Sequence, residues 1–574
     1  MLKKVFQASD FLSYNNVVLT RNIQDKSAEK ILNRNHASLI SLTELIEKLL
    51  QSRDYEAAIG LIQVCGDFAS RNHPGIFACH RLEGCLLEIS KAILSLPRPD
   101  SIEIAGKCNS GKIAIHIMTE AHPVGGSTRL VRQWISNDSD RSHSIVLTAQ
   151  GVSPIPELLQ DTVNLSGGAI YLIDKTPQSK LDKAAQLRAT VRNADLIVLH
   201  IHPHDSLALL ALMHWRSRPL TVFMNHADHL FWLGAGIADH YMVFRDSGYQ
   251  ICVNRRAIPD ERCSILPIPV PDHSIQISKK EAREQLEIPH ETILCLTIGF
   301  SYKFHAVEEN KHLVDVILPV FKQEENAELI AIGPSSEGRW IDGFKKSNGR
   351  IHAIGECSNI DVYLAAGDIF LMPMPIHSSS AALEAGIQGM PILVYTDPSL
   401  LGTVFDANSP GLSQSVLNLT TISEYRDCLT RLIVDEQFRR EVGNQSRDTV
   451  HKYHGIAAWT RYLNRALVKA RNTPIANANQ VLDTGPQCQA EDRQLCRIQR
   501  GILARPAFIL ARHCQSMSLS KKLYIWWEYF HPLKSFVPKY SLIEIILLLV
   551  TPETASRLRV AFERNSFFRR FFFK

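Results

Sequence analysis

The residues best suited to chemistry lie in one short segment, from Ile369 to Val394. Three serines, Ser378, Ser379 and Ser380, stand where a helix would begin after a strand and a loop with two prolines, and Glu384 follows one turn later. Backbone N–H groups at a helix start, together with the helix dipole, stabilise an anion such as a diphosphate. A carboxylate one turn further on can accept hydrogen bonds from neutral hydroxyl groups, as acidic residues do with nucleotide riboses. The segment therefore predicts a phosphate-and-ribose site, with a plain serine-capped strand–helix–strand unit as the alternative.

A second candidate anion site follows the apolar run Ile113–Met118. The chain there reads His-Pro-Val-Gly-Gly-Ser-Thr-Arg, which places Gly125 four residues and Gly126 three residues before Arg129. Two glycines after a strand permit close approach of a ligand to the backbone, and a helix beginning near Ser127 offers a second helix start to an anion. The spacing is not that of a GxGxxG fingerprint. It is a Gly-Gly-x-x-Arg loop.

Imidazoles cluster after two neighbouring candidate strands. They are His200, His202 and His204 at the end of the first strand, and His226 and His229, with Asp228 between them, at the end of the second. Because the ends of parallel strands meet at one edge of a sheet, several of these side chains could converge there. Histidine and carboxylate also ligate zinc, but polar residues gather over the cleft of any doubly wound fold, so no metal is expected. Asp228 and His229 are candidates for acceptor binding or proton transfer, and His229 could equally be a packed core residue.

The elements around these residues change in character at Lys112. From there, short apolar runs alternate with helical patterns, which indicates parallel βαβ units. The first series of candidate strands is Ile113–Met118, Ser144–Leu147, Ala169–Ile173, Leu196–His200, Thr221–Asn225 and Tyr241–Phe244. The second series is Ile293–Ile298, Glu328–Ile332, Arg350–Ile354, Asp368–Met372 and Ile392–Tyr395. The proline-rich segment Leu266–Pro271 separates them and cannot lie inside a sheet, so we read it as a hinge. The predicted fold is α/β, with two Rossmann-like doubly wound domains.

Two further regions flank these domains. Apolar residues recur at helix spacing in the first 95 residues, which predicts a helical accessory region, and the chain ends in a basic, aromatic-rich helical tail that includes Trp526 and Trp527. Such a tail suits an interfacial membrane helix, or else it packs on the body of the protein. No motif supports nucleic-acid binding. The expected units are a helical region 1–98, α/β domains 99–270 and 271–471, a linker 472–492 and the tail 493–574.

Composition excludes several classes of protein. A chain of 574 residues with 45% hydrophobic and 21% charged residues is folded and has more than one core. Its 12 cysteines include no C-x-x-C pair, so we expect reduced thiols. The N-terminus has no signal-peptide core, and the apolar run Leu542–Val550, broken by Glu544, is too short to span a bilayer. We therefore expect a cytoplasmic protein, with attachment to the inner face of the membrane through the tail as a further option.

The motifs together resemble the GT-B glycosyltransferases, in particular the retaining enzymes of family four. The resemblance rests on the Gly-Gly-x-x-Arg loop in the first domain and on Glu-Ala-x-x-x-Gly-x-Pro, Glu384 to Pro391, late in the second. It covers about residues 112 to 470. It implies a nucleotide-sugar donor held by the second domain, an acceptor facing the first, and chemistry in the cleft between them without a required metal or other cofactor.

The resemblance assigns roles residue by residue. It implies that Gly125, Gly126 and Arg129 lie near the donor phosphates and that Glu384 holds the ribose. The family's first glutamate would fall at 376, where this chain has Ile376. After the first strand of the second domain the family places cations toward the diphosphate, and this chain supplies Lys303, which could also be a solvated loop lysine. A family histidine that contacts the donor sugar corresponds to His226.

The expected activity is transfer of a sugar from a nucleotide diphosphate to a glycan, lipid-linked or other acceptor, in envelope polysaccharide assembly. Retention of configuration is the family default, although the serine-rich helix start and the helical N-terminal region also resemble protein-modifying inverting transferases. A nucleotide-sugar epimerase of the same fold is one alternative. A degenerate, non-catalytic binding subunit is another, because Ile376 replaces the expected carboxylate.

Overall fold

A computed structural model describes most of the chain. The described residues are 25–96, 111–122, 126–175, 178–215, 217–271, 275, 277–304, 311–357, 359–397, 408–412, 416–474, 485–499 and 506–530. Gly125 and the end of the basic tail, residues 531–574, lie outside the described residues.

The described part of the N-terminal region contains the α-helices α1 (Asp25–Gln51), α2 (Tyr55–Arg71) and α3 (His80–Ala92). Their apolar residues recur at helix spacing and are buried, as Leu39, Leu42 and Ile46 show for α1. The helical region is not a separate core. These residues belong to one buried apolar cluster with Ile115 and Ile197 of the first sheet.

The first sheet has seven strands, all parallel, in the order β3-β2-β1-β4-β5-β6-β7. They are β1 (Ile113–Met118), β2 (Ser142–Leu147), β3 (Ile170–Leu172), β4 (Leu196–His200), β5 (Leu220–Met224), β6 (His240–Val243) and β7 (Cys263–Ile265). The connecting helices are α4 (Gly126–Asn137), α5 (Glu157–Leu165), α6 (Lys180–Thr190), α7 (Ser206–Leu212) and α8 (Asp246–Arg255). The central strands are buried along their whole length, as expected when helices cover both faces of a parallel sheet.

The second sheet has six strands, also all parallel, in the order β10-β9-β8-β11-β12-β13. They are β8 (Ile293–Ile298), β9 (Ala327–Ile332), β10 (Ile351–Gly355), β11 (Ile369–Leu371), β12 (Ile392–Tyr395) and β13 (Val416–Leu419). The helices of this half are α9 (Lys279–Gln285), α10 (Leu313–Gln323), α11 (Arg339–Lys346), α12 (Asp361–Ala366), α13 (Ser379–Ile387), α14 (Ile422–Val434) and α15 (Glu436–His454). Two doubly wound parallel sheets confirm the predicted fold class.

The last helix of the second half, α16 (Ile456–Asn472), packs on the first sheet. Its Trp459, Leu463 and Leu467 share a buried cluster with Val198 and Val222 of strands β4 and β5. The Nζ atom of Lys469 donates to the carbonyl of Cys263 at 2.9 Å. The chain therefore returns to the first domain after completing the second.

The final described helices are α17 (Ala490–Gln499), α18 (Pro506–His513) and α19 (Leu519–Ile525), followed by a π-helical turn, Trp526–Phe530. They pack on the N-terminal helices. Trp526 is buried in the apolar cluster of that region, whereas Trp527 is 59% exposed. Within the described ranges, no helix is long and apolar enough to cross a bilayer.

Candidate functional site

Residues that follow strands of both sheets meet between the two domains. Arg129 and Arg245 follow β1 and β6 of the first sheet, and Lys303 and Glu384 follow β8 and β11 of the second. In doubly wound folds, ligands bind outside the carboxyl ends of the strands. We call this meeting place the interdomain cleft.

An ion pair joins the two motifs that the sequence placed in separate domains. Nη1 of Arg129, in the first turn of α4, contacts Oε1 of Glu384 in α13. The Glu384 side chain is 13% exposed and that of Arg129 is 37% exposed. Burial raises the pKa of Glu384, and the guanidinium beside it acts against that rise. The two halves of the predicted donor site therefore lie in direct contact.

The start of α13 leaves its backbone donors without a side-chain cap. Ser378 is buried, its hydroxyl makes no capping hydrogen bond, and its N–H points to the sulfur of Met372. Ser379 and Ser380 form the first turn, which contains no acidic residue. Gly389, with a φ of 81°, turns the chain from α13 toward β12. The helix thus presents a positive end, and uncapped amides, beside Glu384.

Two cations from different domains approach each other in the cleft. The Lys303 ammonium donates to the carbonyl of His377 at 3.0 Å, in the loop that leads to α13. Burial, together with the charge of Arg245, lowers the pKa of Lys303 to about 8. An anion bound between them would relieve this repulsion, so the local field favours a phosphate group.

Asp228 is a buried partner of Arg245. Its carboxylate accepts from Nε of Arg245 at 2.6 Å and from Nη2 at 2.9 Å, and Nδ1 of His229 lies 3.2 Å away. Burial alone raises the pKa of Asp228, but Arg245 and His229 together hold it well below its usual range. The carboxylate is therefore a fixed anion that orients Arg245.

The clustered imidazoles have different hydrogen-bond and ring partners. Nε2 of His226, which follows β5, lies 2.9 Å from Nδ1 of His200, the last residue of β4. His202 points to Glu120, and its Nδ1 lies 3.3 Å from that carboxylate. The His204 ring contacts that of His513 in the C-terminal helices, with ring centroids 4.9 Å apart and the ring planes tilted by 55°. Of His200, His202 and His204, only His200 contacts His226 by a hydrogen bond among the described residues.

Glu120 and Arg245 are cleft residues that sequence reasoning missed. The Glu120 side chain is 11% exposed and lies between Nε2 of His122, at 3.1 Å, and Nδ1 of His202. Burial tends to raise its pKa, but these two imidazoles lower it overall. Their position in the sequence could have identified both residues. Each follows a candidate strand of the first series by one or two residues, where ligands of a doubly wound fold bind.

Ile376 has a structural role at the position where the resemblance expects a glutamate. Its side chain packs against an apolar cluster formed by Phe77 of the N-terminal region, Ile251 of α8 and Leu495 of α17. The residue therefore closes an apolar contact between the second domain and the rest of the chain. A carboxylate at this place would lose that contact.

The remaining predicted residue in the glycine loop is Gly126, the first residue of α4, where an added Cβ would meet open space. A further group of potential metal ligands is Asp67, His204 and His513, with ligand atoms within 4.8 Å of one another. Its carboxylate is already bound by Arg71, at 2.6 Å, and by His513, at 3.0 Å.

Comparison with known proteins gives similarity of shape only. No family model matches the chain, and no curated protein matches it. The Anabaena protein HepE, solved with UDP and glucose, is 12% identical over 62% of this chain and 99% of its own, with a TM-score of 0.49. An O-GlcNAc transferase mutant from Thermobaculum terrenum is 13% identical over 78% and 84%, with a TM-score of 0.44. UDP-GlcNAc 2-epimerase from Neisseria meningitidis is 14% identical over 62% and 100%, with a TM-score of 0.42. At these values the likeness alone establishes neither a family nor an activity.

Proposed function

We propose that this protein is a glycosyltransferase, which moves a sugar from a nucleotide diphosphate to a glycan, lipid-linked or other acceptor, in envelope polysaccharide assembly. The observation that carries the proposal is the convergence of Glu384, the uncapped start of α13, Lys303 and Arg129 in one interdomain cleft. These groups supply what a nucleotide diphosphate needs: a carboxylate for hydroxyl groups, and amides and cations for phosphate.

In this proposal the positive groups act on the leaving diphosphate. As the bond between the sugar and the phosphate breaks, negative charge grows on the diphosphate, and Lys303 with the amides at Ser379 and Ser380 stabilises it. Binding between two domains also excludes water and holds the acceptor against the sugar. The ribose hydroxyls would donate to Glu384 in place of Arg129, so Arg129 becomes available for the phosphates when the donor binds.

The acceptor side of the cleft belongs to the first domain. We assign His226 to contact with the reacting sugar, because it lies at the end of β5 and its side chain is partly exposed. Asp228 acts through Arg245, which it holds by two hydrogen bonds. No step in this scheme requires a metal.

A thermal-shift screen of nucleotide sugars tests the proposal, because a bound ligand stabilises the folded chain by mass action. We expect one class of nucleotide sugar to raise the melting temperature of the wild type, and Glu384→Ala to reduce the rise at the same ligand concentration. Glu291→Ala, an exposed glutamate before β8, is the matched control and should keep it. A panel in which no nucleotide sugar stabilises the wild type would contradict the assignment.

Ile376 favours a second candidate function, a binding subunit without catalytic activity. Its apolar contact replaces the carboxylate that the resemblance places beside the sugar. Such a subunit would show the same thermal shift but would release no nucleotide from the sugar when an acceptor is added. An epimerase, in contrast, would consume the donor without any acceptor.

A further inference from the structure

Four histidines form a diagonal across one face of the first sheet. In spatial order they are His143 of β2, His116 of β1, His200 of β4 and His226 after β5. The register explains the diagonal. His116 lies opposite Ile145 and Val198, His143 lies two residues before Ile145, and His200 lies two residues after Val198. Side chains two residues apart in a strand share a face, so these histidines lie on the same face of the sheet. From His143 to His116 to His200, each histidine lies two residues nearer to the cleft end of the strands than the one before it.

Consecutive rings in this diagonal are hydrogen-bonded. Nδ1 of His143 lies 3.0 Å from Nε2 of His116, whose Nδ1 lies 3.0 Å from Nε2 of His200. The Nδ1 atom of His200 in turn lies 2.9 Å from Nε2 of His226. Trp134 of α4 covers the middle of the chain and makes edge contacts with the rings of both His116 and His200. We call these four residues the histidine chain.

A backbone carbonyl fixes the direction of the whole chain. At its inner end, Nε2 of His143 lies 2.9 Å from the carbonyl oxygen of Asp138, and a carbonyl can only accept a hydrogen bond. The proton of His143 must therefore be on Nε2. The carboxylate of Asp138, 3.6 Å from the same nitrogen and held by Arg141, favours the same placement.

The remaining protons follow from this one. A neutral imidazole carries a proton on one nitrogen and accepts on the other. Nδ1 of His143 therefore accepts from Nε2 of His116, Nδ1 of His116 accepts from His200, and Nδ1 of His200 accepts from Nε2 of His226. Burial lowers the pKa of every ring in the chain, that of His226 to about 3, so the neutral forms prevail.

We propose that the histidine chain is a positioning device that holds His226 with its proton on Nε2 and leaves Nδ1 as a bare acceptor in the interdomain cleft. Among the described residues, Nδ1 of His226 has no hydrogen-bond partner, and His226 is the most exposed member of the chain. A bare nitrogen accepts a hydrogen bond from a hydroxyl group and cannot donate to a carbonyl or phosphate oxygen. Under the proposed function, on which this part of the inference rests, the group that donates to Nδ1 is a hydroxyl of the sugar substrate.

Long-range ¹H–¹⁵N correlation spectra of the full chain labelled with ¹⁵N-histidine read the tautomer directly, without any activity. The signal of His226, one of 23 histidines, is assigned by its loss in His226→Asn. We expect a protonated Nε2 and a bare Nδ1 at neutral pH. A proton on Nδ1, or on both nitrogens, overturns the inference, and this wild-type measurement depends on no other variant.

Two variants test whether the chain is the cause. His116→Phe keeps an aromatic ring but removes the nitrogen that accepts the hydrogen bond from His200. We therefore expect His226 to become a mixture of tautomers. We also expect the KM for the sugar substrate to rise by a factor several-fold larger than that by which kcat falls. His240→Phe removes a buried histidine of the same sheet whose Nε2 bonds Ser264 at 2.8 Å, and it should leave the His226 signals unchanged. If His116→Phe folds and His226 still has its proton on Nε2 alone, the histidine chain does not determine the tautomer of His226. If the wild-type tautomer is as expected but no nucleotide sugar binds, the proposed function fails and the tautomer assignment stands.

Discussion

The replacement of Glu384 by alanine tests the assignment of the ribose carboxylate. In the structure this carboxylate pairs with the partly exposed Arg129. Donor binding would exchange that pair for two hydrogen bonds from ribose hydroxyls. Each such bond to a charged acceptor contributes about 1.5 kcal/mol. Breaking the exposed ion pair costs about 1 kcal/mol. The variant should therefore lose about 2 kcal/mol of binding, or about 30-fold in Kd.

Isothermal titration of UDP and GDP against the wild type and Glu384→Ala measures this loss of affinity. A second titration, with the 2′-deoxy form of the nucleotide that binds, shows how much of the loss comes from contacts to the ribose. The wild type should bind the deoxy nucleotide about tenfold more weakly, which corresponds to one lost hydrogen bond. Glu384→Ala should not distinguish the two nucleotides. Equal affinity of wild type and variant, or discrimination that survives the substitution, would refute the reasoning.

Three further perturbations follow from the same geometry. Burial lowers the pKa of Lys303 to about 8, and only the charged form of Lys303 attracts phosphate. The affinity of the wild type for the nucleotide should therefore fall as pH rises through 8, whereas that of Lys303→Met should not. Titrations with the nucleotide at pH 7, 8 and 9 measure this difference. Asp228→Asn leaves the half-buried Arg245 without its anion and should lower stability by about 3 kcal/mol at pH 7. Because the pKa of Asp228 is depressed, its contribution is full above about pH 4 and declines below it, so the melting temperatures of variant and wild type should converge in acid. Trp459→Ala removes a fully buried side chain between α16 and the first sheet, and should lower stability by about 3 kcal/mol or more, seen as a lower urea midpoint.

The sequence predicted most of the strands because their signals are local. The predicted bounds are correct for Ile113–Met118, Leu196–His200, Ile293–Ile298 and Ile392–Tyr395, since each is a short run of mostly apolar residues. The two strands that were not predicted, β7 and β13, lie at the edges of their sheets. They are short, and β7 runs directly into the proline-rich hinge, so neither carries a strong periodic signal.

The site could be predicted only in parts, because its contacts join residues far apart in the chain. Glu384 and Arg129 were each identified by type and position, but their direct pairing depends on how the two domains meet. The histidine chain depends on strand order, which places β4 next to β1 and leaves His116 between His143 and His200. Nothing in the spacing of these residues reveals that order.

Acceptor-dependent release of nucleotide diphosphate tests the central claim most directly. The full chain would be incubated with the nucleotide sugar found in the thermal-shift screen, with and without a panel of glycan and lipid-linked acceptors, and free nucleotide would be quantified. We predict release that requires an acceptor, is much slower in Glu384→Ala at subsaturating donor and is unchanged in Glu291→Ala. Release that is the same with and without every acceptor, or that is as fast in Glu384→Ala as in the wild type, would contradict transfer of a sugar at this cleft.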